Sequence, residues 1–190
     1  MTRRQSQPFV CATLTLGAVL LATVAGSAAE RKRFKADLQT TSQFVPIQFV
    51  EARRCDDERG HQPVVGLLRV IGSGDASFLG SVIDEQSHCV RADFTFFNGR
   101  FTLTNAGGEI IAGSYFGQLA PTFNSTFLEN TPPAGQWLIL GNVCIEGGTV
   151  GRIEGDCEQR RYHPARGITN LNTGDATIFL DQPIGFERRE

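Results

Sequence analysis

Asp84 is the residue of this sequence best placed to do chemistry. It shares a strand-like alternation with Phe78, Gly80 and Val82, and alternate residues of a strand point to the same face of a sheet. If that face points into the protein, burial would raise the pKa of the Asp84 carboxyl and make it a candidate acid or base. The simpler interpretation, which we favour, is that Asp84 ends its strand and faces water.

The three histidines do not match a known catalytic set. His61 and His163 each stand near a proline in polar, loop-like sequence, which is typical of surface histidines. His88 precedes Cys89 and would suit a thiolate–imidazole pair, but we expect that thiol to be held in a disulfide. The sequence has no nucleophile elbow, no H-E-x-x-H metal motif and no phosphate-binding loop. We therefore assign no catalytic residue, no metal ligand and no cofactor.

Four cysteines follow the N-terminal segment of the chain, namely Cys55, Cys89, Cys144 and Cys157. An even number of cysteines in an exported chain predicts disulfides, here two bonds with three alternative pairings. A zinc site would need closely spaced pairs such as C-x2-C, which the sequence lacks. Cys144 and Cys157 bracket a glycine-rich loop and could clip its flanking strands together, which leaves Cys55 for Cys89.

Residues 101–117 (FTLTNAGGEIIAGSYFG) form the element around which we expect the fold to be arranged. A Gly-Gly pair separates two strand-like runs and supplies the positive φ angles of a tight hairpin turn. With the two glycines as the loop, Leu103 faces Ala112 and Phe101 faces Ser114. One face of this hairpin would line the inside of a small closed sheet. These ligand-cavity candidates, together with Asp84, are Phe101, Leu103, Ile110, Ala112, Ser114 and Phe116.

Short strand-like runs separated by glycine turns fill most of the remaining sequence. Four of these runs are strands by residue type. They are residues 64–71 (VVGLLRVI), 76–84 (ASFLGSVID), 137–145 (WLILGNVCI) and 176–180 (ATIFL). No long segment after the N-terminus has the 3.6-residue apolar repeat of a helix. About seven or eight short strands predict an all-β protein, either a closed antiparallel barrel of about eight strands or a β-sandwich.

Three segments between these strands are assigned from their turn residues. Residues 72–75 (GSGD) read as a turn, and residues 150–155 (VGRIEG) as one helical turn. Residues 157–162 (CEQRRY) read as a polar strand or sheet edge.

The first 29 residues have the pattern of a cleaved signal peptide. Arg3 and Arg4 precede 16 mostly apolar residues, 9–24, and the small residues 25–29 (AGSAA) offer a cleavage site. A membrane anchor is the alternative, but a spanning helix needs roughly 20 apolar residues. We therefore expect a secreted or periplasmic protein that is not held in a membrane after cleavage.

The chain beyond the signal is predicted to be one domain. About 160 residues are enough for a substantial core. Residues 30–63 would supply a tail with the charged cluster 30–33, a first strand and an exposed loop pinned by Cys55, and residues 64–190 the rest of the barrel. A net charge of −2, without a basic patch that contains aromatic residues, argues against nucleic-acid binding.

Three segments resemble a known group of proteins. They resemble the glycine motifs of uncharacterised exported bacterial proteins. The segments are residues 72–80 (GSGDASFLG), the hairpin at 101–117 and residues 146–155 (EGGTVGRIEG). That group is similar to the allene oxide cyclase and dirigent-like barrels, which share a G-G-T-G-x-F element. Val150 interrupts that element here, and a Gly-Gly pair replaces the usual Asn-Gly turn.

The resemblance implies an eight-stranded antiparallel barrel with a central apolar cavity, and related barrels often form trimers. Proteins of this group shape a cavity around a reactive intermediate and use buried carboxylates, tyrosines or an arginine. The residues of those types available here are Asp84, Glu85, Asp93, Arg100 and Tyr115. Since the matched stretches are glycine turns, no catalytic residue of the group can be transferred to this chain.

Taken together, the sequence predicts an exported, disulfide-bonded barrel that binds a small apolar molecule or serves as an extracellular scaffold. One alternative is a dirigent-like or cyclase-like isomerase acting in the cavity. Another is a protein-interaction module that uses the proline-containing residues 118–135 as its contact.

Overall fold

The fold is described from a computed structural model. The residues that it describes are 30–55, 63–121, 135–150, 152–154, 157 and 160–187. The predicted signal peptide therefore lies outside the described residues, as does most of the predicted interaction segment 118–135.

Nine antiparallel strands and one short 3-10 helix, Val50–Cys55, make up the regular structure of the described residues. The strands are β1 (Glu30–Pro46), β2 (Val64–Ala76), β3 (Gly80–Arg91), β4 (Thr95–Asn105), β5 (Ile110–Pro121), β6 (Gln136–Gly148), β7 (Arg152–Glu154), β8 (His163–Asn170) and β9 (Asp175–Glu187).

Eight of these strands close into a barrel. The strand order is β1-β2-β3-β4-β5-β6-β8-β9, and β9 pairs back onto β1, for example with Ile178 opposite Leu38. The short β7 adds to the last residues of β9. The predicted closed barrel is thus confirmed. The β-sandwich alternative is wrong, because two separate sheets would leave β1 and β9 without this pairing.

The two ends of the barrel differ in their filling. The closed end carries the β2–β3 turn at 77–79 and the β4–β5 loop at 106–109. The open end carries the β3–β4 turn at 92–94 and the β8–β9 turn at 171–174. Large apolar side chains with at most 1% exposure fill the closed half; they are Phe34, Leu38, Leu103, Ile111, Ile145 and Ile184.

The turn predicted at residues 72–75 is wrong, because this segment continues β2 to Ala76. Gly72 and Gly74 point into the barrel, where the sheet curves sharply. A Cβ at Gly74 would lie 1.9 Å from the carbonyl oxygen of Asp37 on β1. These glycines therefore permit close backbone approach at a barrel corner, and the chain turns later, at residues 77–79.

The register predicted for the central hairpin is wrong by one residue. Leu103 lies opposite Ile111, and Phe101 lies opposite Gly113. A slip of one residue moves every side chain of a strand to the other face. Along β5 the residues that point into the barrel are therefore Ile111, Gly113 and Tyr115, whereas Ile110, Ala112, Ser114 and Phe116 point outward.

Asn105 explains why the loop is longer than the predicted glycine pair. Its side-chain Oδ1 accepts hydrogen bonds from the backbone N–H groups of Gly107 (3.0 Å) and Glu109 (2.9 Å). Its own N–H donates to the Glu109 carbonyl at 3.1 Å. Asparagine commonly closes turns through such bonds, so here the loop takes in residues 106–109.

Three segments outside the main strand runs differ from the prediction. Residues 30–33, expected as a tail, belong to β1 and pair with β9. Residues 51–55, expected in an exposed loop, belong to the 3-10 helix Val50–Cys55, with Ala52 and Cys55 fully buried. The helical turn expected at 150–155 is replaced by β7 at Arg152–Glu154.

The last strand pair begins later than predicted. Of residues 157–162, those that the structure describes are not in a strand, and β8 starts at His163. The segment HPARGITN contains proline and glycine, which obscures its strand character in sequence. In the barrel its alternate residues Ala165, Gly167 and Thr169 are buried, as expected for a strand with one inner face.

Both disulfides are present with the pairing favoured above. Cys55 is bonded to Cys89 and Cys144 to Cys157. The first bond fastens the 3-10 helix to the outside of β3, where Ala52 and Leu67 join it in a small second core. No helix among the described residues is long and apolar enough to cross a membrane.

Candidate functional site

A cavity of about 680 Å³ occupies the open half of the barrel. Turn residues of the open end line it, together with the half-exposed Phe44 and Phe94, so among the residues that the structure describes the cavity reaches the surface there. Its volume is within the range of small-molecule sites. Most of the wall is apolar and is contributed by side chains such as Leu38, Val70, Phe96, Phe101, Ile139 and Val143.

A polar stripe runs along the inner face of β3 into this cavity. Its members are Asp84, Gln86 and His88, which alternate along the strand and therefore share a face. Gln86 and His88 line the cavity, whereas Asp84 lies one step closer to the closed end. The stripe places three polar residues in succession on one inner face of a mostly apolar interior, so it marks the site.

Asp84 is completely buried, so the expectation that it faces water is wrong. The strand does not end at this residue but continues to Arg91. Gln86 donates a hydrogen bond from Nε2 to Oδ2 of Asp84, while Oδ1 has no partner. Burial raises the pKa of Asp84 to about 6; the Gln86 hydrogen bond opposes this shift, and the charge of Glu85 adds slightly to it.

His88 and Tyr115 form a hydrogen-bonded pair on the cavity wall. Nδ1 of His88 lies 2.7 Å from the Tyr115 hydroxyl, and the imidazole also packs on Phe96. Burial, with a smaller contribution from the positive charge of Arg54, lowers the pKa of His88 to about 4. Burial raises the pKa of Tyr115 well above its usual value. Both groups are therefore uncharged at neutral pH.

Gly99 allows this pair to form across the intervening strand β4. The pairing of β4 with β5 is irregular between Phe96 and Gly99, and Asn98 has a positive φ of 50°. A Cβ at Gly99 would lie 2.7 Å from ring atoms of Tyr115. Glycine at this position therefore lets the Tyr115 ring lie over β4 and reach His88 on β3.

The residues proposed from sequence are divided between the two faces of the hairpin. Phe101 lines the cavity, and Leu103 is buried in the closed half. The remaining four are on the outer face. Ser114 there contacts the Cys144 sulfur at 3.2 Å, and Phe116 packs on Tyr162.

Gln86 was not among the residues predicted from the sequence, and the roles predicted for the other polar residues of the cavity were incomplete. Tyr115 was assigned to the wrong face by the hairpin register, and His88 was judged only as a partner of Cys89. The available signal was the alternation Asp84-x-Gln86-x-His88 between Val82 and Val90. Three polar residues on the apolar face of a strand are an unusual pattern that indicates a polar cavity wall.

The arrangement can hydrogen-bond an uncharged group. In the part of the chain that is described, no three His, Cys, Asp or Glu side chains are grouped so that they could hold a metal ion. Comparisons with models of known families, with curated proteins and with solved structures find no match to this chain. Fold and site together therefore define a class only, a disulfide-bonded eight-stranded barrel with one interior cavity open at an end. Membership of the allene oxide cyclase and dirigent-like group stays a prediction.

Proposed function

We propose that this protein is an exported barrel that binds a small apolar molecule in its cavity. The observation that carries the proposal is the apolar space of about 680 Å³ within a closed sheet. Water in such a space covers apolar surface, and a ligand that displaces it gains the free energy of burying that surface.

The rim of the cavity also favours an apolar ligand. Phe44 and Phe94 are 48% and 41% exposed, and Leu171 of the β8–β9 turn is 41% exposed. All three residues line the cavity where it opens. Exposed apolar residues grouped at the entrance of a pocket commonly mark a binding site.

The proposed location of the protein agrees with its two disulfides. Disulfides persist in oxidising compartments, so the bonds Cys55–Cys89 and Cys144–Cys157 indicate an extracellular or periplasmic environment. We attribute export to the signal-like residues 1–29. Detecting a mature N-terminus after Ala28 or Ala29 by mass spectrometry would support this attribution, and finding residues 1–29 on the mature protein would contradict it.

The binding function can be tested on protein purified from its host. Native mass spectrometry should detect a bound apolar molecule, and the neutral dye N-phenylnaphthylamine should become fluorescent when it enters the emptied cavity. Ala176→Phe introduces a large side chain into the cavity wall and should reduce dye uptake about tenfold or more. Ile83→Phe, at an exposed position outside the barrel, is the control.

Two outcomes would contradict binding. If the wild type shows no bound species and takes up no dye, the cavity does not bind apolar molecules and the scaffold alternative remains. Equal dye uptake by Ala176→Phe and wild type would mean that the dye binds outside the cavity. The same native mass spectra report the oligomeric state, which the sequence leaves open and for which a trimer is one alternative.

A second candidate function is isomerisation or cyclisation of the bound molecule. It is favoured by the buried titratable groups beside the cavity, namely the His88–Tyr115 pair and Asp84. Incubation with a lipid extract of the host should then change the chromatographic retention of one component without changing its mass. The change should require His88, so His88→Phe should abolish it; unchanged retention with the wild type would contradict catalysis.

A further inference from the structure

The hydrogen-bonding side chains deep in the cavity are collected at its inner end. Gln86 and His88 approach from β3, Tyr115 from β5 and Thr40 from β1. Thr40 is in the same row of strand pairs as Asp84, with only Gly72 between them. Because Gly72 has no side chain, the Thr40 methyl group can pack over it, 2.6 Å from where a Cβ would lie. Thr40 lines the same cavity as Gln86 and His88.

Several polar atoms in this group have hydrogen-bonding capacity to spare. Thr40 is 5% exposed, and its hydroxyl has no hydrogen-bond partner. Gln86 uses Nε2 for Asp84, which leaves Oε1 as an acceptor. His88 uses Nδ1 for Tyr115, which leaves Nε2. Since buried polar groups are normally satisfied, the Thr40 hydroxyl calls for a ligand group that forms a hydrogen bond with it. Oε1 of Gln86 and Nε2 of His88 can bond the same group, which would then both donate and accept hydrogen bonds.

The charges around this inner end disfavour an anionic group. The four polar residues that line it are uncharged at neutral pH, while the buried Asp84 beneath them carries negative charge above about pH 6. Among the described residues of the cavity wall, the one cationic side chain is Arg91, whose guanidinium lies 3.9 Å from the ring centre of Phe97. A carboxylate placed at the inner end would be desolvated next to Asp84.

We propose that the cavity selects a ligand with one uncharged hydroxyl or carbonyl head group on an apolar body, and that the head group binds at the inner end among Thr40, Gln86 and His88. This inference rests on the proposed binding function. It adds the chemical class of the ligand, an alcohol or ketone rather than a carboxylic acid or a plain hydrocarbon.

A matched series of probes tests the inference. 1-Decanol, decanoate and decane have similar apolar bodies and differ in the head group. Each competes with N-phenylnaphthylamine for the wild-type protein near neutral pH. We expect 1-decanol to displace the dye at a concentration about tenfold lower than either of the other probes. Decanoate binding as tightly as 1-decanol, or decane doing so, would overturn the inference.

The outcome separates this inference from the proposed function. A wild-type protein that takes up the dye but does not prefer the alcohol still binds apolar molecules, so only the ligand class fails. A protein that takes up no dye lacks the binding function altogether. In that case both proposals fail.

Two variants locate the head group. Thr40→Val keeps the shape of the side chain and removes its hydroxyl, and His88→Phe removes Nε2. Each should reduce the preference for 1-decanol over decane to about threefold or less, when both probes are compared on the same variant. Thr102→Val makes the same chemical change on the outer face of β4 and should leave the preference intact. An unchanged preference in both Thr40→Val and His88→Phe would overturn the assignment.

Discussion

Asp84 and His88 are buried titratable residues whose effects on stability oppose each other. The pKa of Asp84 is raised to about 6, so the folded protein keeps a proton that the unfolded chain releases above about pH 4. The pKa of His88 is lowered to about 4, so the unfolded chain binds a proton that the folded protein refuses below about pH 6.5. Asp84 thus makes stability fall as pH rises, and His88 makes it rise over the same interval.

Replacing Asp84 by asparagine should remove its effect on the pH dependence of stability, so that the opposing effect of His88 can be measured. At about pH 4 the free energies of unfolding of wild type and Asp84→Asn should be similar, since the carboxyl is protonated in the folded protein. Above about pH 6 the variant should be more stable by up to about 3 kcal/mol, because no charge is buried. Urea unfolding between these pH values measures the difference.

The control for this prediction is His88→Phe, which should show the opposite trend. Its stability relative to wild type should be lower near neutral pH than near pH 4, by up to about 3 kcal/mol. Stability differences that do not change with pH in either variant would contradict the pKa shifts of both residues.

The sequence predicted that Gly80 and Val82 share a face with Asp84, but not that this face is inside. Phe78, predicted on the same face, lies instead in the β2–β3 turn. Alternation with Val82 is a local property and was correct. Burial of the carboxyl depends on the hydrogen bond from Gln86 and on adjacent space within the barrel. These are properties of the assembled sheet, so the alternation with Val82 by itself does not distinguish a buried Asp84 from a strand end.

At the level of the strands, inward-facing glycines allow the barrel to bend tightly. Gly113 on β5 and Gly141 on β6 both have their missing side chains directed inward, but their surroundings differ. A Cβ at Gly113 would lie 2.2 Å from the Cys144 carbonyl oxygen and 2.5 Å from the Phe101 ring. At Gly141 the nearest atoms, including the Ala165 Cβ, are 3.6 Å away.

Gly113→Ala should therefore destabilise the protein far more than Gly141→Ala. A methyl group at Gly113 must displace the backbone of β6, which corresponds to overpacking and costs about 1–3 kcal/mol. A methyl group at Gly141 makes ordinary contacts and should change the free energy of unfolding by about 0.5 kcal/mol or less. Urea unfolding of both variants checks the prediction, and equal destabilisation would contradict the role of close strand approach.

Strand existence was predictable from residue type, but strand register was not. The runs that became β2, β5, β6 and β9 are rich in β-branched and aromatic residues. Register in the β4–β5 hairpin depends instead on Asn105, whose side chain organises a loop longer than the glycine pair suggested. Because of these hydrogen bonds from one side chain, the inward and outward faces of β5 are the reverse of those predicted from the sequence.

For the whole molecule, the two disulfides close loops of different length. Cys55 and Cys89 are 34 residues apart, whereas Cys144 and Cys157 are 13 apart. Replacing both members of a pair by alanine should cost about 4 kcal/mol for the longer loop and about 3 kcal/mol for the shorter, because a longer open loop gains more entropy on unfolding. Urea unfolding under oxidising conditions measures both, and a larger loss at the shorter loop would contradict the entropic explanation.

Closure of the barrel was predictable as a class but not in its details. Many short strands with glycine turns favour a barrel or a sandwich, and the resemblance favoured the barrel. Closure itself depends on β1 pairing with β9 near the other end of the chain, as at Leu38 and Ile178. Such long-range pairing leaves no local trace in the sequence, which is why residues 30–33 were taken for a tail.

Packed apolar side chains fill the closed end of the barrel, so the cavity does not run through the barrel from end to end. Among the described residues, the cavity reaches the surface beside Phe44 and Phe94, so the ligand that we propose would enter and leave there. With its head group bound at the inner end, its hydrocarbon tail would point outward. A membrane or carrier protein that receives this ligand would then contact the tail first, and transfer could begin before the last hydrogen bond breaks.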